Sequence, residues 1–231
     1  MNKVQHRLLS IGIVILLAAS GLTVFLIYSS GHDKASSDLT RVACVGDSLT
    51  QSTAFPYDLW VLLGHSNYTV RNFGAGGTTV LLNSEAPYMN TSVFQDALDF
   101  QPNIVIIMLG TNDAQPSLVP YNSSFVGDYV KLIGAFQALA SKPKIWVVLP
   151  PPLFSNQSGR ISPEYLKFTL IPGIEQAANE TNVSTINAYS ALANSPNDFP
   201  DGEHPNDAGA KLIADEIYRV IAIQNSTAPK A

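Results

Sequence analysis

The sequence is poor in charge, in histidine and in cysteine. Only 13% of its 231 residues are Asp, Glu, Lys or Arg, and the formal net charge is -5. A nucleic-acid groove needs a concentration of Lys and Arg, so this balance argues against a nucleic-acid partner. The single cysteine, Cys44, cannot form a disulfide within the chain. Its position inside an apolar run predicts a small buried side chain.

The amino-terminal part differs in composition from the rest. Lys3 and Arg7 precede an uncharged run of 21 residues, 8–28. A helix of that length crosses a bilayer core of roughly 30 Å, whereas the apolar part of a cleavable signal peptide has about 7–15 residues. We therefore expect residues 1–28 to be a transmembrane signal anchor. The small residues Ala18, Ala19 and Ser20 leave a cleaved signal as the alternative.

Positive charge before the apolar run predicts that the following chain lies outside the cytoplasm. Residues 29–40 are then a polar linker, residues 41–224 one domain and residues 225–231 a loose tail. Seven Asn-x-Ser/Thr sites support export, and chance would give roughly two or three. They begin at Asn67, Asn90, Asn122, Asn156, Asn179, Asn182 and Asn225. We expect a glycosylated, extracytoplasmic domain, although loops rich in Asn, Ser and Thr also produce such sites.

Short apolar runs alternate with helical patterns along the domain. Strands are predicted at residues 42–45, 68–72, 104–109, 145–149 and 183–186. Helices are predicted at residues 57–65, 93–100, 125–140, 163–179 and 208–223, the fourth with a kink at Pro172. This alternation is typical of a parallel sheet whose right-handed crossovers place helices on both faces. The predicted fold class is α/β, a three-layer α/β/α sandwich of about five parallel strands.

Polar residues follow four of these strands. The groups are Asp47-Ser48, residues 72–78, residues 110–113 and, after a longer loop, residues 201–206. Because the carboxyl ends of parallel strands meet at one edge of a sheet, we expect the four groups to converge there. The sequence therefore predicts a functional site at that edge.

Ser48 and His204 offer a nucleophile and a base. His204 can take the Ser48 proton and later protonate a leaving alcohol, and Asp201 can accept a hydrogen bond from the other ring nitrogen. Each residue also has a structural interpretation, Ser48 as a helix N-cap and Asp201 as a cap before Pro205. An oxyanion would need donors, for which the Ser48 N–H, a glycine N–H after the second strand and the Asn112 amide are candidates.

These four groups resemble the conserved blocks of the SGNH/GDSL hydrolase family, in the family's order. The matching residues are Gly46-Asp47-Ser48-Leu49, Asn72-x-Gly74-x-x-Gly77-Thr78, Gly110-Thr111-Asn112-Asp113 and Asp201-x-x-His204-Pro205-Asn206. The resemblance implies a flavodoxin-like fold, a Ser48–His204–Asp201 triad, and an oxyanion hole formed by Ser48, Gly77 and Asn112. Asp47, Asn72 and Asp113 would support the site, and neither a metal nor an organic cofactor would be needed.

The resemblance further implies a serine esterase that forms an acyl-Ser48 intermediate. Segments 149–152 and 199–202 are similar to members that remove short acyl groups, often acetyl, from carbohydrates, so we expect a glycan or small-molecule ester as substrate. The same fold hosts lysophospholipases and acyl-thioesterases, which remain alternatives. Two other classes stay open: a metal-dependent phosphoesterase using Asp47, Asp113, Asp201 and His204, and an inactive surface-displayed binding module. We expect residues 81–89 and 150–161 to wall the substrate pocket.

Overall fold

A computed structural model describes residues 39–154 and 160–227, with the backbone alone for 223–227. The predicted anchor at 1–28, nearly all of the linker at 29–40, residues 228–231 of the tail and Asn156 lie outside the described residues. Within the described part of the chain, no helix is both long enough and apolar enough to cross a bilayer.

Five parallel strands form one sheet in the order β2-β1-β3-β4-β5. The strands are β1 Thr40–Gly46, β2 Tyr68–Gly74, β3 Ile104–Met108, β4 Lys144–Leu149 and β5 Ser184–Asn187. This is the strand order of flavodoxin-like folds, in which β1 lies at the point where the order reverses. The α/β class and the five-stranded parallel sheet are thus confirmed.

Helices cover both faces of the sheet. They are α1 Ser48–Gln51, α2 Phe55–Leu63, α3 Ser92–Asp99, α4 Phe125–Gln137, α5 Pro163–Tyr165, α6 Ile171–Glu180, α7 Ala188–Ala191 and α8 Asp207–Thr227. Short 3₁₀ segments lie at Tyr88–Asn90, Asn112–Ala114, Pro116–Ser124 and Pro196–Asp198. The described part of the predicted tail, residues 225–227, is helical because α8 continues to Thr227.

The alternation of side chains along each strand divides the core into two layers. Val45 and Ile107 point to the layer that contains α3, α4 and α6. Cys44 and Ile106 point to the layer that contains α2 and α8. Because both faces are covered, β3 is buried at every position, which is why its sequence is a continuous apolar run. The Cys44 side chain is fully buried, as predicted, and burial raises the pKa of its thiol.

The helix predicted at residues 163–179 is interrupted rather than simply kinked. A π-helical turn at Leu166–Leu170 separates α5 from α6, and Pro172 follows at the second position of α6. Proline has no N–H to donate to the preceding turn, and its ring crowds the carbonyl four residues earlier. The wider π turn accommodates both restrictions.

Gly46 ends β1 where no side chain fits. A Cβ at this position would lie 2.6 Å from the backbone oxygen of Met108 and would overlap the Thr50 hydroxyl. We expect Gly46→Ala to lower the free energy of unfolding by at least about 2 kcal/mol, because relieving the overlap with the Met108 backbone oxygen requires a strand to shift. Chemical denaturation measures the change.

Gly134→Ala is the matched control, because a Cβ there meets no atom within 4 Å. Gly134 lies inside α4, where alanine has the higher helix propensity, so the control should be stabilised by about 0.4–1 kcal/mol. Equal stability of the two variants would contradict the close approach described at Gly46.

Candidate active site

The turn after β1 presents Ser48 at the carboxyl edge of the sheet. Asp47 caps α1 by accepting a hydrogen bond from the Leu49 N–H at 2.9 Å, which places Ser48 as the first residue of that helix. Ser48 is half-buried, whereas its neighbours Asp47 and Leu49 are buried. The turn therefore leaves Ser48 partly accessible while its neighbours are anchored in the core.

Ser48 and His204 meet although they are 156 positions apart in the sequence. The Ser48 Oγ lies 2.9 Å from His204 Nε2, and His204 Nδ1 lies 2.7 Å from Asp201 Oδ2. Asp201 Oδ1 also accepts the backbone N–H groups of His204 at 2.6 Å and Glu203 at 2.9 Å. The structure thus brings together the predicted nucleophile, base and orienting carboxylate in one continuous hydrogen-bonded chain.

The hydrogen bonds to Asp201 determine its charge. Burial raises the pKa of this carboxyl, but the backbone N–H groups of His204 and Glu203 and the His204 ring outweigh it, so the net pKa is lowered. An ionised Asp201 accepts from Nδ1–H and leaves Nε2 of a neutral imidazole to accept the Ser48 proton. The geometry is therefore suited to general-base activation of the serine hydroxyl.

The predicted oxyanion donors lie on two neighbouring loops. Asn112 Nδ2 donates to the Thr78 carbonyl at 3.0 Å, which fixes the amide and leaves its second hydrogen for another acceptor. The Gly76 N–H is occupied by Gln51 Oε1 at 2.9 Å. Of the two adjacent glycines, Gly77 is therefore the one whose N–H is available, and its φ of +75° suits glycine.

The three predicted supporting residues hold these loops in place. Asn72 Nδ2 donates to the Thr50 carbonyl at 2.7 Å, and its Oδ1 accepts the Gly74 N–H at 2.9 Å, which ties β2 to α1. The Asp113 carboxylate accepts the Val80 and Leu81 N–H groups, each at 2.9 Å by its shorter contact. Asp47 is the cap already described. All three act on the backbone around Ser48 and Asn112.

Residues that sequence reasoning did not identify complete the surroundings. Gln51 binds Gly76, and Asp128 Oδ2 accepts the Leu82 N–H at 3.0 Å. Glu203 Oε1 lies 3.9 Å from His204 Nε2, and its carboxylate also pairs with Arg160 at 3.2 Å. The Gln51, Asp128 and Arg160 contacts join distant positions, and Glu203 stands at an unspecified position of the Asp201-x-x-His204 motif, so no spacing in the sequence indicates these contacts.

The metal alternative finds no support in this arrangement. Asp113 already accepts backbone N–H groups, and so does one oxygen of Asp47. Among the residues that the structure describes, no three His, Cys, Asp or Glu side chains are grouped so that they could hold a metal ion.

Asp47 is fully buried with an unpaired oxygen. Its Oδ2 has no hydrogen-bond partner within the described part of the chain. Burial, with smaller contributions from Asp113 and Glu203, raises its pKa from 3.8 to about 7, although the Leu49 N–H and His204 lower it. The folded chain therefore binds this proton more tightly than the unfolded chain. The resulting stabilisation is complete below pH 3.8 and is lost as the pH rises through about 7.

Asp47→Asn removes this titration. Between pH 4 and 7 the unsubstituted chain loses the stabilisation from this proton, whereas Asp47→Asn has none to lose. We therefore expect the free energy of unfolding of the variant to rise relative to that of the unsubstituted chain by at most about 4 kcal/mol, since one pKa unit corresponds to about 1.36 kcal/mol. Denaturant titrations across this range measure the difference, with the exposed Asp96→Asn as control. A difference independent of pH would contradict a proton held on Asp47.

This chain is similar to known proteins in sequence and in fold. A sequence profile described as "GDSL-like Lipase/Acylhydrolase family" matches residues 44–212. An acetylxylan esterase from Xylanibacter ruminicola is 32% identical over 210 residues, covering 80% of this chain and 43% of that protein. The chain thus spans less than half the length of that relative.

Solved structures share the fold. A carbohydrate acetylesterase, Est24 from Sinorhizobium meliloti, superimposes with a TM-score of 0.66 at 22% identity, covering 80% of this chain and 99% of its own. A lipase/acylhydrolase from Enterococcus faecalis gives a TM-score of 0.64 at 22% identity, covering 84% and 100%. At such identities these matches establish the common fold.

Proposed function

The chain belongs to the GDSL-like Lipase/Acylhydrolase family, and we propose that it is a carboxylic ester hydrolase that removes short acyl groups from carbohydrate esters through an acyl-Ser48 intermediate. The observation that carries the proposal is the continuous contact from the Ser48 Oγ through both His204 ring nitrogens to Asp201, at 2.9 and 2.7 Å. Acetyl is the acyl group that we expect.

The reaction proceeds in two halves. His204 Nε2 takes the Ser48 proton as Oγ attacks the ester carbonyl carbon, and the imidazolium then protonates the alcohol oxygen as the ester bond breaks. Water next gives a proton to Nε2 and attacks the acyl carbon. The bond between that carbon and Oγ then breaks, the imidazolium returns its proton to Oγ, and the carboxylic acid is released with Ser48 restored. Asp201 stays ionised throughout and stabilises the imidazolium that forms twice.

Negative charge develops on the carbonyl oxygen in both halves. The Ser48 N–H, the Gly77 N–H and the second hydrogen of Asn112 Nδ2 are the donors that we assign to it. The Asn112–Thr78 hydrogen bond and the contacts of Asp113 with the backbone after Thr78 hold the two donor loops before substrate binds. Fixed donors need no reorganisation when charge appears, which is what makes them effective in the transition state.

The choice of substrate rests on relatives and remains a proposal. The acetylxylan esterase and the carbohydrate acetylesterase named above support a carbohydrate ester over a lysophospholipid or an acyl thioester. A panel of acetylated sugars, p-nitrophenyl esters of increasing chain length, lysophospholipid and acyl-CoA distinguishes these classes.

We also propose that the domain is displayed outside the cytoplasm on an amino-terminal membrane anchor. The apolar run at residues 8–28 and the positive charges before it support this location. The exposure of four sequon asparagines, Asn67, Asn90, Asn179 and Asn182, is compatible with glycosylation, and Asn122 is half-exposed.

Ser48→Ala and His204→Ala should each abolish hydrolysis of p-nitrophenyl acetate, since one lacks the nucleophile and the other its base. Release of p-nitrophenol measures the rate, and circular dichroism checks the fold. Ser66→Ala and His65→Ala are matched controls at exposed positions and should retain full activity. Turnover by either triad variant at the unsubstituted rate would exclude the mechanism.

Asn112→Ala should lower kcat by about 10²–10³-fold, as expected when a side-chain oxyanion donor is removed. KM should change little, because the lost hydrogen bond forms mainly in the transition state. Asn194→Ala, at an exposed loop position, is the control. A variant with unchanged kcat would remove Asn112 from the proposed oxyanion hole.

A further inference from the structure

A cavity of about 460 Å³ opens beside Gly77. Its volume lies within the range of roughly 300–1,000 Å³ typical of small-ligand sites. Two segments wall it, one after β2 and the other after β3. The lining residues are Gly77, Thr79, Asn83, Ser84, Glu85, Ala86, Gln115, Ser117, Leu118 and Tyr121. Because Gly77 is an assigned oxyanion donor, the cavity adjoins the position of the ester carbonyl.

Hydrogen bonds fix the first wall in advance of binding. Asp113 holds the Val80 and Leu81 N–H groups, and Asp128 holds the Leu82 N–H. The loop then folds back on itself, since the Thr79 N–H donates to the Ala86 carbonyl at 3.0 Å and the Tyr88 N–H donates to the Thr79 carbonyl at 2.8 Å. These bonds form a parallel bridge between Thr79 and Pro87 that closes the loop containing residues 83–86, and a wall held in advance costs little ordering on binding.

The second wall is the 3₁₀ segment Pro116–Ser124. Two prolines, Pro116 and Pro120, restrict its backbone. Tyr121 lines the cavity from this segment, and 43% of its surface is accessible. An accessible aromatic ring beside polar groups is a common feature of sites that bind partly apolar, hydroxyl-bearing ligands.

The lining is mainly polar and carries no positive charge. Asn83, Ser84, Gln115 and Ser117 offer amide and hydroxyl groups, and Glu85 offers a carboxylate. Among the described residues that line this cavity there is no Lys or Arg to pair with a phosphate. A hydrocarbon acyl chain would find few apolar partners here, and a phosphate-bearing alcohol would face Glu85.

We propose that this cavity binds the sugar of the ester substrate, with one face of a pyranose ring packed on Tyr121 and its hydroxyls hydrogen-bonded to the amide and hydroxyl groups of both walls. The inference rests on the proposed function and specifies the site that selects the alcohol part of the ester. Residues 83–86 belong to a segment predicted to wall the pocket. Within the 150–161 segment, also predicted to wall the pocket, Phe154 packs on Phe199 with ring centroids 5.0 Å apart and Leu153 packs against the core, while residues 155–159 lie outside the described residues.

The test compares two acetyl esters that differ only in the alcohol. An acetylated xylo-oligosaccharide presents sugar rings to the cavity, whereas p-nitrophenyl acetate does not. Tyr121→Ala should lower kcat/KM for the oligosaccharide by about tenfold, mainly by raising KM, since an aromatic contact supports binding throughout the reaction. Its kcat/KM for p-nitrophenyl acetate should stay within about twofold of that of the unsubstituted chain.

Two further variants separate packing from other effects. Tyr121→Phe keeps the ring and should retain the oligosaccharide activity to within about threefold. Tyr57→Ala removes another exposed tyrosine, which packs beside Trp60 and does not line the cavity, so both activities should be unchanged. Thermal unfolding of each variant checks its fold.

The outcomes distinguish this inference from the function on which it rests. If the unsubstituted chain hydrolyses both esters but Tyr121→Ala loses activity on neither, or on both equally, the sugar site is wrong and the esterase mechanism stands. If the unsubstituted chain hydrolyses p-nitrophenyl acetate alone, the carbohydrate substrate and the sugar site are both wrong. If it hydrolyses neither ester, the proposed function fails and the inference with it.

Discussion

The hydrogen bonds that the Val80 and Leu81 N–H groups donate to the Asp113 carboxylate join the loop after β2 to the loop after β3. The Asn112 amide makes a parallel connection to the Thr78 carbonyl. Together they fix the side-chain and backbone donors that we propose for the oxyanion. Burial raises the pKa of Asp113 to about 6, although the Val80 and Leu81 N–H groups lower it. The contacts that order the two loops thus hold this carboxyl away from solvent.

The strand order determines which loops lie next to the Ser48 turn. Because β1 lies between β2 and β3, the Ser48 turn is flanked on both sides by the loops that carry Gly77 and Asn112. His204 lies in the turn that precedes α8, after β5, and β5 is the edge strand at the opposite end of the sheet from β2. The proposed nucleophile and oxyanion donors thus lie on loops after adjacent strands, while the proposed base lies after a distant strand and is oriented by its own turn.

Much of the fold and the residues of the site could be predicted from the sequence. Strands buried on both faces, such as β3, are continuous apolar runs, and the loops at their carboxyl ends must share one edge. Ser48, Asn112 and His204 stand in short motifs whose residue types follow from the chemistry. These features depend on local sequence and on a general rule of sheet topology.

Other features depend on contacts that local sequence does not encode. Asp128 binds the Leu82 N–H from 46 positions away, and Arg160 reaches Glu203 from 43. The π turn before Pro172 reflects how one proline is accommodated inside a packed helix. The segment Pro116–Ser124 contains two prolines and has no helical periodicity from which it could be predicted, yet its Tyr121 lines the cavity.

The 156-residue separation of Ser48 and His204 has a consequence for how the molecule matures. The Asp201–His204 turn carries its own hydrogen bonds, so the imidazole can be oriented locally. Its meeting with the serine, by contrast, requires every strand between them to be in register. Ester hydrolysis would therefore begin only when all strands from β1 to β5 are paired. Turnover itself would then be a sensitive reporter of complete folding.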